Sequence, residues 1–237
     1  MKIGERVVVI SGATGGLGQV VAQAFAAQGD RLALLSTNPD KLAALVARLD
    51  LPAERILAHA ADLSDPAGVS QAMQAVIGKF GRADALIHLV GGWAGGLPSI
   101  TASAEETQQM LQQHLWTTFH LVQAFIPTMQ ANHWGRLVVI SSPIAVRPTA
   151  TTLPYAVGKA AQETLLLTLA QELKGSGVTA NIIHVRSIDV QHERLNAPSP
   201  KNASWTTPEE IAAAVLYLCS DQAGQVNGAR LPLYGPG

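Results

Sequence analysis

Tyr155 and Lys159 stand four residues apart at the start of a long helical pattern, and Ser142 lies thirteen positions upstream, ending the run Leu137–Val138–Val139–Ile140–Ser141–Ser142. A phenol is a poor acid at neutral pH, with a reference pKa of roughly 10, unless a fixed cation stabilises its phenolate. A lysine one helical turn away shares the tyrosine's face and supplies that cation. On its own, Tyr-x-x-x-Lys describes any solvated pair on a helix surface. Its weight here comes from a second pattern elsewhere in the chain.

That second pattern is N-terminal. Arg6–Val7–Val8–Val9–Ile10 runs into Ser11–Gly12–Ala13–Thr14–Gly15–Gly16–Leu17–Gly18, and an apolar helical period follows. A strand feeding Gly12-x-x-x-Gly16-x-Gly18 lets backbone approach a pyrophosphate closely, while the helix start presents unpaired N–H groups and a positive dipole end. A glycine-rich turn without a ligand is the bland alternative. Its place at the opening of a βαβ unit favours nucleotide binding.

Residues of this kind need a rigid frame. Arg6–Ile10, Arg31–Leu35, Arg55–Ala60, Asp84–Leu89, Arg136–Ile140, Thr179–Val185 and Arg230–Leu233 are short, nearly continuous apolar runs alternating with longer 3.6-period segments. Such runs are buried on both faces, as in a parallel sheet. The expected fold is therefore α/β: a Rossmann-type, doubly wound sheet of about seven parallel strands with helices on both faces, in a single domain over residues 1–237. Asn38–Pro39, Asp65–Pro66 and Thr207–Pro208 each place a capping side chain before a proline at the first helical position. Thr207 with Glu210 and Ser103 with Glu106 also fit the reciprocal capping box. Residues 188–205 break the rhythm, with Pro198 and Pro200 among polar residues, and are expected to form a short substrate lid.

Composition excludes several classes. Of the 237 residues 48% are hydrophobic and 14% charged, which describes a compact core rather than disorder. The net charge of −1 leaves no basic excess for a nucleic acid. Cys219 is the only cysteine, so neither an intrachain disulfide nor a cysteine-based metal site is expected; its apolar surroundings in sequence suggest core packing. The first strand begins too near Met1 for a cleavable leader, and no apolar run approaches the roughly 20 residues needed to span a bilayer. The expected location is the cytoplasm, with no membrane partner.

The Gly-x-x-x-Gly-x-Gly spacing together with Tyr155–Lys159 resembles the short-chain dehydrogenase/reductase family over essentially the whole chain. The resemblance implies an NAD(P)-dependent oxidoreductase acting on a small carbonyl or alcohol. Tyr155 would be the general acid and base, Lys159 would lower its pKa and bind the nicotinamide ribose, and Ser142 would orient the carbonyl oxygen. It also implies cofactor contacts from Gly12, Thr14, Gly15, Gly16, Leu17 and Gly18, from Val90, Gly91 and Gly92, from Ile188, and from Asp62 and Leu63 near the adenine. For Asp62 a simple turn aspartate is the alternative. At the end of the second strand, Ser36, Thr37 and Asn38 offer no carboxylate to repel a 2′-phosphate and no arginine to grip one; the balance leans to NADP over NAD. Family members usually assemble through the helices around 104–130 and 154–174, so a homodimer or homotetramer is expected.

Several positions depart from the family pattern. His114 takes the place of the usual relay asparagine, and either passes protons or packs in the helix interface. His88–Leu89–Val90–Gly91 replaces Asn-Asn-Ala-Gly, with His88 expected to be a satisfied core histidine. Val185–Arg186 replaces Pro-Gly, and Val190 a threonine. The loop Gly91–Gly92–Trp93–Ala94–Gly95–Gly96 resembles that of dihydropteridine reductases, as does Trp205-x-x-Pro208; Trp93 would either stack on a ring substrate or plug the lid. A pterin reductase and a non-catalytic NAD(P)-binding regulator are the competing readings.

Overall fold

In a computed structural model, which describes residues 4–234, the strands are β1 (Val7–Ser11), β2 (Arg31–Ser36), β3 (Ile56–Ala60), β4 (Ala85–His88), β5 (Gly135–Ser141), β6 (Val178–His184) and β7 (Arg230–Pro232). All seven pair in parallel in the order β3-β2-β1-β4-β5-β6-β7. Each lies within one residue of its sequence expectation at both ends. The order reverses between β1 and β4, and it is outside the carboxyl ends of strands at such a switch point that open α/β sheets bind ligands.

The near-continuous hydrophobicity of β1 has a direct packing cause. Successive side chains of a strand point to opposite faces, so Val7 and Val9 enter one core while Val8 and Ile10 enter the other. The helices α3 (Pro66–Phe80), α5 (Thr117–Ala131) and α6 (Leu153–Glu172) cover the first face with Val76, Phe125 and Leu166. The second is covered by α1 (Gly16–Ala27), α2 (Pro39–Val46) and α8 (Pro208–Leu218), through Phe25, Leu45 and Val215. Cys219 is fully buried in this second core, and burial pushes its thiol up to about 12, so it is an inert packing residue.

Helix starts follow the expected chemistry. Asn38 Oδ1 accepts from Lys41 N at 2.8 Å and Asp65 Oδ1 from Ala67 N at 3.0 Å. Thr207 and Glu210 complete the reciprocal box at the start of α8. At α4 (Ala104–Leu111) only half of the expected box forms: Ser103 Oγ accepts from Glu106 N and donates to Glu105 Oε2 at 2.7 Å, but the Glu106 carboxylate does not return to Ser103 N.

Between α4 and α5 the residues Gln112–Trp116 form a π-helical turn. Such turns re-aim side chains inside an otherwise regular helix, and this one carries His114 inward. The segment expected to be a lid is tied at both ends: Ile188 bridges Thr206, and buried Asp189 caps the short helix α7 (Glu193–Asn196) through Glu193 N and Arg194 N. Among the described residues no helix is long and apolar enough to cross a membrane.

Candidate active site

Two clefts join along the carboxyl ends of β1, β2, β3 and β4. One, of about 500 Å³, is walled by Gly12, Gly16, Val90, His114, Tyr155, Lys159 and Ile188, among others. The second, of about 470 Å³, runs past Ser36, Thr37, Asp62 and Leu63. They share Gly12, Gly15, Val90, Gly91 and Gly92, so together they make one elongated groove with the Tyr155–Lys159 pair at one end and Asp62 at the other.

The backbone at its centre has no room for side chains. Gly12 has φ +74°, and a methyl group there would come within 3.1 Å of Leu89 C and Val90 N. One on Gly18 would strike the Gly12 carbonyl oxygen, and one on Gly91 would lie 2.7 Å from His114 Cε1. Gly91 therefore keeps its place in the altered His88–Gly91 motif because the imidazole occupies the adjoining space. A cradle of bare backbone at the start of α1 fits the pyrophosphate of a dinucleotide.

Not every expected cofactor residue reaches the groove. Thr14 is turned to Ser36, Oγ to Oγ 2.6 Å, and Asn38 caps α2; neither contributes to the walls. Asp62 does, while also being the turn aspartate of the alternative reading: its Oδ1 accepts from Ser64 N and Oγ, which holds its carboxyl below the usual range.

Tyr155 is half-buried in the first turns of α6. Burial pushes its phenol up; the neighbouring Ser142 hydroxyl pulls the other way, and the Glu163 charge adds to the rise. This departs from the expectation that Lys159 lowers it. The Lys159 Nζ lies 6.0 Å from the Tyr155 ring centre and donates instead to Ile140 O at 2.8 Å and Gln162 Oε1 at 3.1 Å. Burial also brings the lysine itself down to about 7, against the pull of Glu163. Helical spacing puts the pair on one face; it does not overcome desolvation, which disfavours both the ammonium and the phenolate.

Ser142 ends β5 by capping a 3₁₀ turn, its Oγ accepting from Ile144 N at 3.3 Å. Its own proton is left to donate. Ser142 opens onto a neighbouring cavity rather than the groove itself.

His114 is buried, edge-on to the Tyr155 ring at 5.5 Å between centres, with Nε2 3.0 Å from the Gly92 carbonyl oxygen. That bond makes Nε2 the donor and leaves Nδ1 a lone pair without a partner among the described residues. Burial and the Lys159 charge bring His114 down to about 3, so it is a neutral acceptor at physiological pH. Its backbone oxygen accepts from Thr118 Oγ1 at 2.5 Å; Gln162 Nε2 donates to Thr118 Oγ1 at 2.9 Å and Gln162 Oε1 receives Lys159. A continuous hydrogen-bond chain thus ties the lysine to the π-helical turn. His88 is the core residue expected, but only half satisfied: Nδ1 meets Ser11 Oγ at 2.7 Å while Nε2 has no partner among the described residues. Trp93 is 62% exposed on the rim of the groove, not a buried plug.

Glu163 is the residue behind the candidate site that sequence reasoning missed. It lies one turn beyond Lys159, so continuing the Tyr155–Lys159 spacing by four would have found it. Buried at the back of the site, its Oε1 accepts from Ser141 Oγ at 2.5 Å and His184 Nε2 at 2.7 Å, and its Oε2 from Arg230 Nε at 2.6 Å. Burial alone would raise the carboxyl, but these three donors hold it below its ordinary value. Among the described residues no cluster suited to a metal ion occurs.

Comparison with known proteins gives this geometry a context. Residues 6–199 match the family model described as short chain dehydrogenase. D-threitol dehydrogenase of Mycolicibacterium smegmatis is 30% identical over 245 residues, covering 99% of this chain and 93% of its own. The crystal structure of a short chain dehydrogenase from Bacillus anthracis superposes with a TM-score of 0.87 at 26% identity, over 99% of this chain and 97% of that one. L-sorbose reductase of Gluconobacter frateurii, solved with NADPH and L-sorbose, gives a TM-score of 0.85 at 25% identity, over 99% and 97%.

Proposed function

The chain belongs to the short chain dehydrogenase family, and from that premise we propose that it is an NAD(P)-dependent oxidoreductase interconverting a small carbonyl compound and its alcohol, with Tyr155 as general acid and base. The observation that carries this is the meeting of Tyr155, Lys159 and the bare Gly12–Gly18 backbone in one groove. Bound NAD(P) supplies or accepts the hydride at its nicotinamide ring.

In the reducing direction Tyr155 Oη gives its proton to the carbonyl oxygen as the carbonyl carbon is reduced; in oxidation the phenolate takes it back. Ser142 Oγ, whose lone pair is engaged by Ile144 N, donates to the same oxygen. An ammonium has three donors, and Ile140 O and Gln162 Oε1 take two of Lys159's. The third is available to a ribose hydroxyl and to the developing phenolate. His114 Nδ1 accepts a hydrogen bond at the same end of the groove.

Gly12, Gly15, Gly16, Leu17 and Gly18 would hold the pyrophosphate, Val90, Gly91, Gly92 and Ile188 the nicotinamide half, and Asp62 and Leu63 the adenine. Ser36 and Thr37 line the groove where a 2′-phosphate would lie and present hydroxyls rather than a carboxylate, which supports NADP over NAD. The test is oxidation of NADPH and NADH with a panel of ketones, diketones and quinonoid pterins. Turnover of a ketone supports the reading; saturable cofactor binding without oxidation across the panel replaces it with a binding role.

A pterin reductase is the second reading, favoured by the exposed Trp93 face beside the glycine-rich rim. Turnover confined to the pterins would establish it. Assembly as a homodimer or homotetramer through α4, α5 and α6 is supported by Trp116, 46% exposed and in ring contact with Phe119 and His120. Light scattering of the purified protein tests it, and a monomeric mass would oppose it.

A further inference from the structure

Beside the groove lies a cavity of about 730 Å³ whose walls include Ser142, Arg147, His184, Arg186, Arg230 and Tyr234. Ser142 belongs to it, and Arg186 is common to it and to the groove, so the two spaces meet where the carbonyl oxygen is handled. Three arginines line it, and no aspartate or glutamate contributes to the walls.

Glu163 offsets the charge of Arg230 from behind, while Arg147 and Arg186 have no acidic partner among the described residues. Among the described residues Glu163 is the one carboxylate that touches any of them, through Arg230 alone, and its oxygens also receive Ser141 and His184. It grips Arg230 by Nε alone, so the two terminal nitrogens of that side chain have no partner among the described residues. Arg186 stacks its guanidinium on the Tyr234 ring at 5.1 Å, which fixes its plane while leaving its N–H edge open. Arg147 likewise has no side-chain partner among the described residues. Like charges gathered in a concave space beside a reaction centre concentrate anions there, and the planar guanidinium matches the two-oxygen edge of a carboxylate or phosphate.

We propose that this cavity is an anion subsite: the substrate is a carbonyl or hydroxy compound bearing a carboxylate or phosphate, held by Arg147, Arg186 and Arg230 while its reacting carbon faces Ser142 and Tyr155. The inference rests on the oxidoreductase reading of those two residues. Ile144, Val146 and Pro232 complete the walls with apolar surface, which suits a short hydrocarbon link beyond the charged group.

Two matched pairs test it, each differing in charge: acetoacetate against methyl acetoacetate, and dihydroxyacetone phosphate against dihydroxyacetone. Binding to the cofactor-loaded protein is measured by calorimetry, alongside kcat/KM, at low and high salt. At low salt at least one anion should bind about tenfold or more tightly than its neutral partner, and the pair that does so tells carboxylate from phosphate. Salt and the substitutions Arg147→Gln and Arg186→Gln should each shrink that ratio, since the groups are solvent-exposed. Equal binding within both pairs, or a ratio indifferent to both substitutions, overturns the inference. Turnover of neutral ketones with no charge preference does so while leaving the oxidoreductase reading intact. Selective anion binding without cofactor oxidation keeps the subsite and removes that reading.

Discussion

Lys159 holds its Nζ 6.0 Å from the centre of the Tyr155 ring and hydrogen-bonds Ile140 O and Gln162 Oε1. The ammonium is therefore positioned by backbone and amide before any ligand arrives, at the cost of a desolvation that brings its pKa down to about 7. A basic group with a lowered pKa is charged below that value and loses its charge as pH rises through it. The Tyr155 phenol, raised by burial, stays protonated over the same range. The value of kcat/KM for the cofactor, which reports groups of the free protein, is expected to fall as pH rises through about 7. In Lys159→Arg the guanidinium stays charged, so this limb should vanish although activity is lower. A limb unchanged by the substitution assigns it to another group.

Glu163 joins α6 to β5, β6 and β7. In Glu163→Gln the loss of charge-assisted bonds to Ser141, His184 and Arg230 should cost about 1–3 kcal/mol, seen as a lowered Tm of roughly 2–4 °C per kcal/mol at this chain length. Because the carboxylate pulls the Lys159 pKa upward, the alkaline limb should also move to lower pH. The carboxyl itself is held below its ordinary value, so its contribution is present above the unfolded-state pKa and lost as pH falls through the folded one. Acid unfolding of the variant should lack that component. A wild-type Tm with an unmoved limb would make Glu163 a bystander.

Ser36 lines the far end of the groove, where the proposed reading puts the cofactor's 2′ substituent. Ser36→Asp should weaken NADPH by about tenfold or more relative to NADH, as a carboxylate there repels a phosphate and accepts from a ribose hydroxyl. Fluorescence titration with both dinucleotides measures it. If the wild type binds NADH as tightly as NADPH, the preference is wrong at its root.

The fold was legible because each strand is buried on both faces, which writes an unbroken apolar run such as Val7–Ile10, and because Asn38, Asp65 and Thr207 mark helix starts with local chemistry. The groove was legible through Gly12 and Gly18, where only a missing side chain lets backbone approach, and through Gly91, which leaves room for the His114 ring. Electrostatic detail was not. The raised Tyr155 and lowered Lys159 depend on desolvation, which spacing does not encode. Nor do Glu163, His184 and Arg230 reveal in sequence that they share one buried network, since 67 residues separate the first from the last. Ser103 shows a local motif half failing: its hydroxyl caps Glu106 N while the Glu106 carboxylate makes no return bond to Ser103 N.

The most direct measurement is a comparison of Tyr155→Phe with the wild type, pairing cofactor titration with turnover of whichever carbonyl the panel identifies. The phenyl ring keeps the packing against His114 and removes only the transferable proton. The account predicts an unchanged cofactor dissociation constant and a kcat lower by about 100-fold or more. Turnover near the wild-type rate would contradict it.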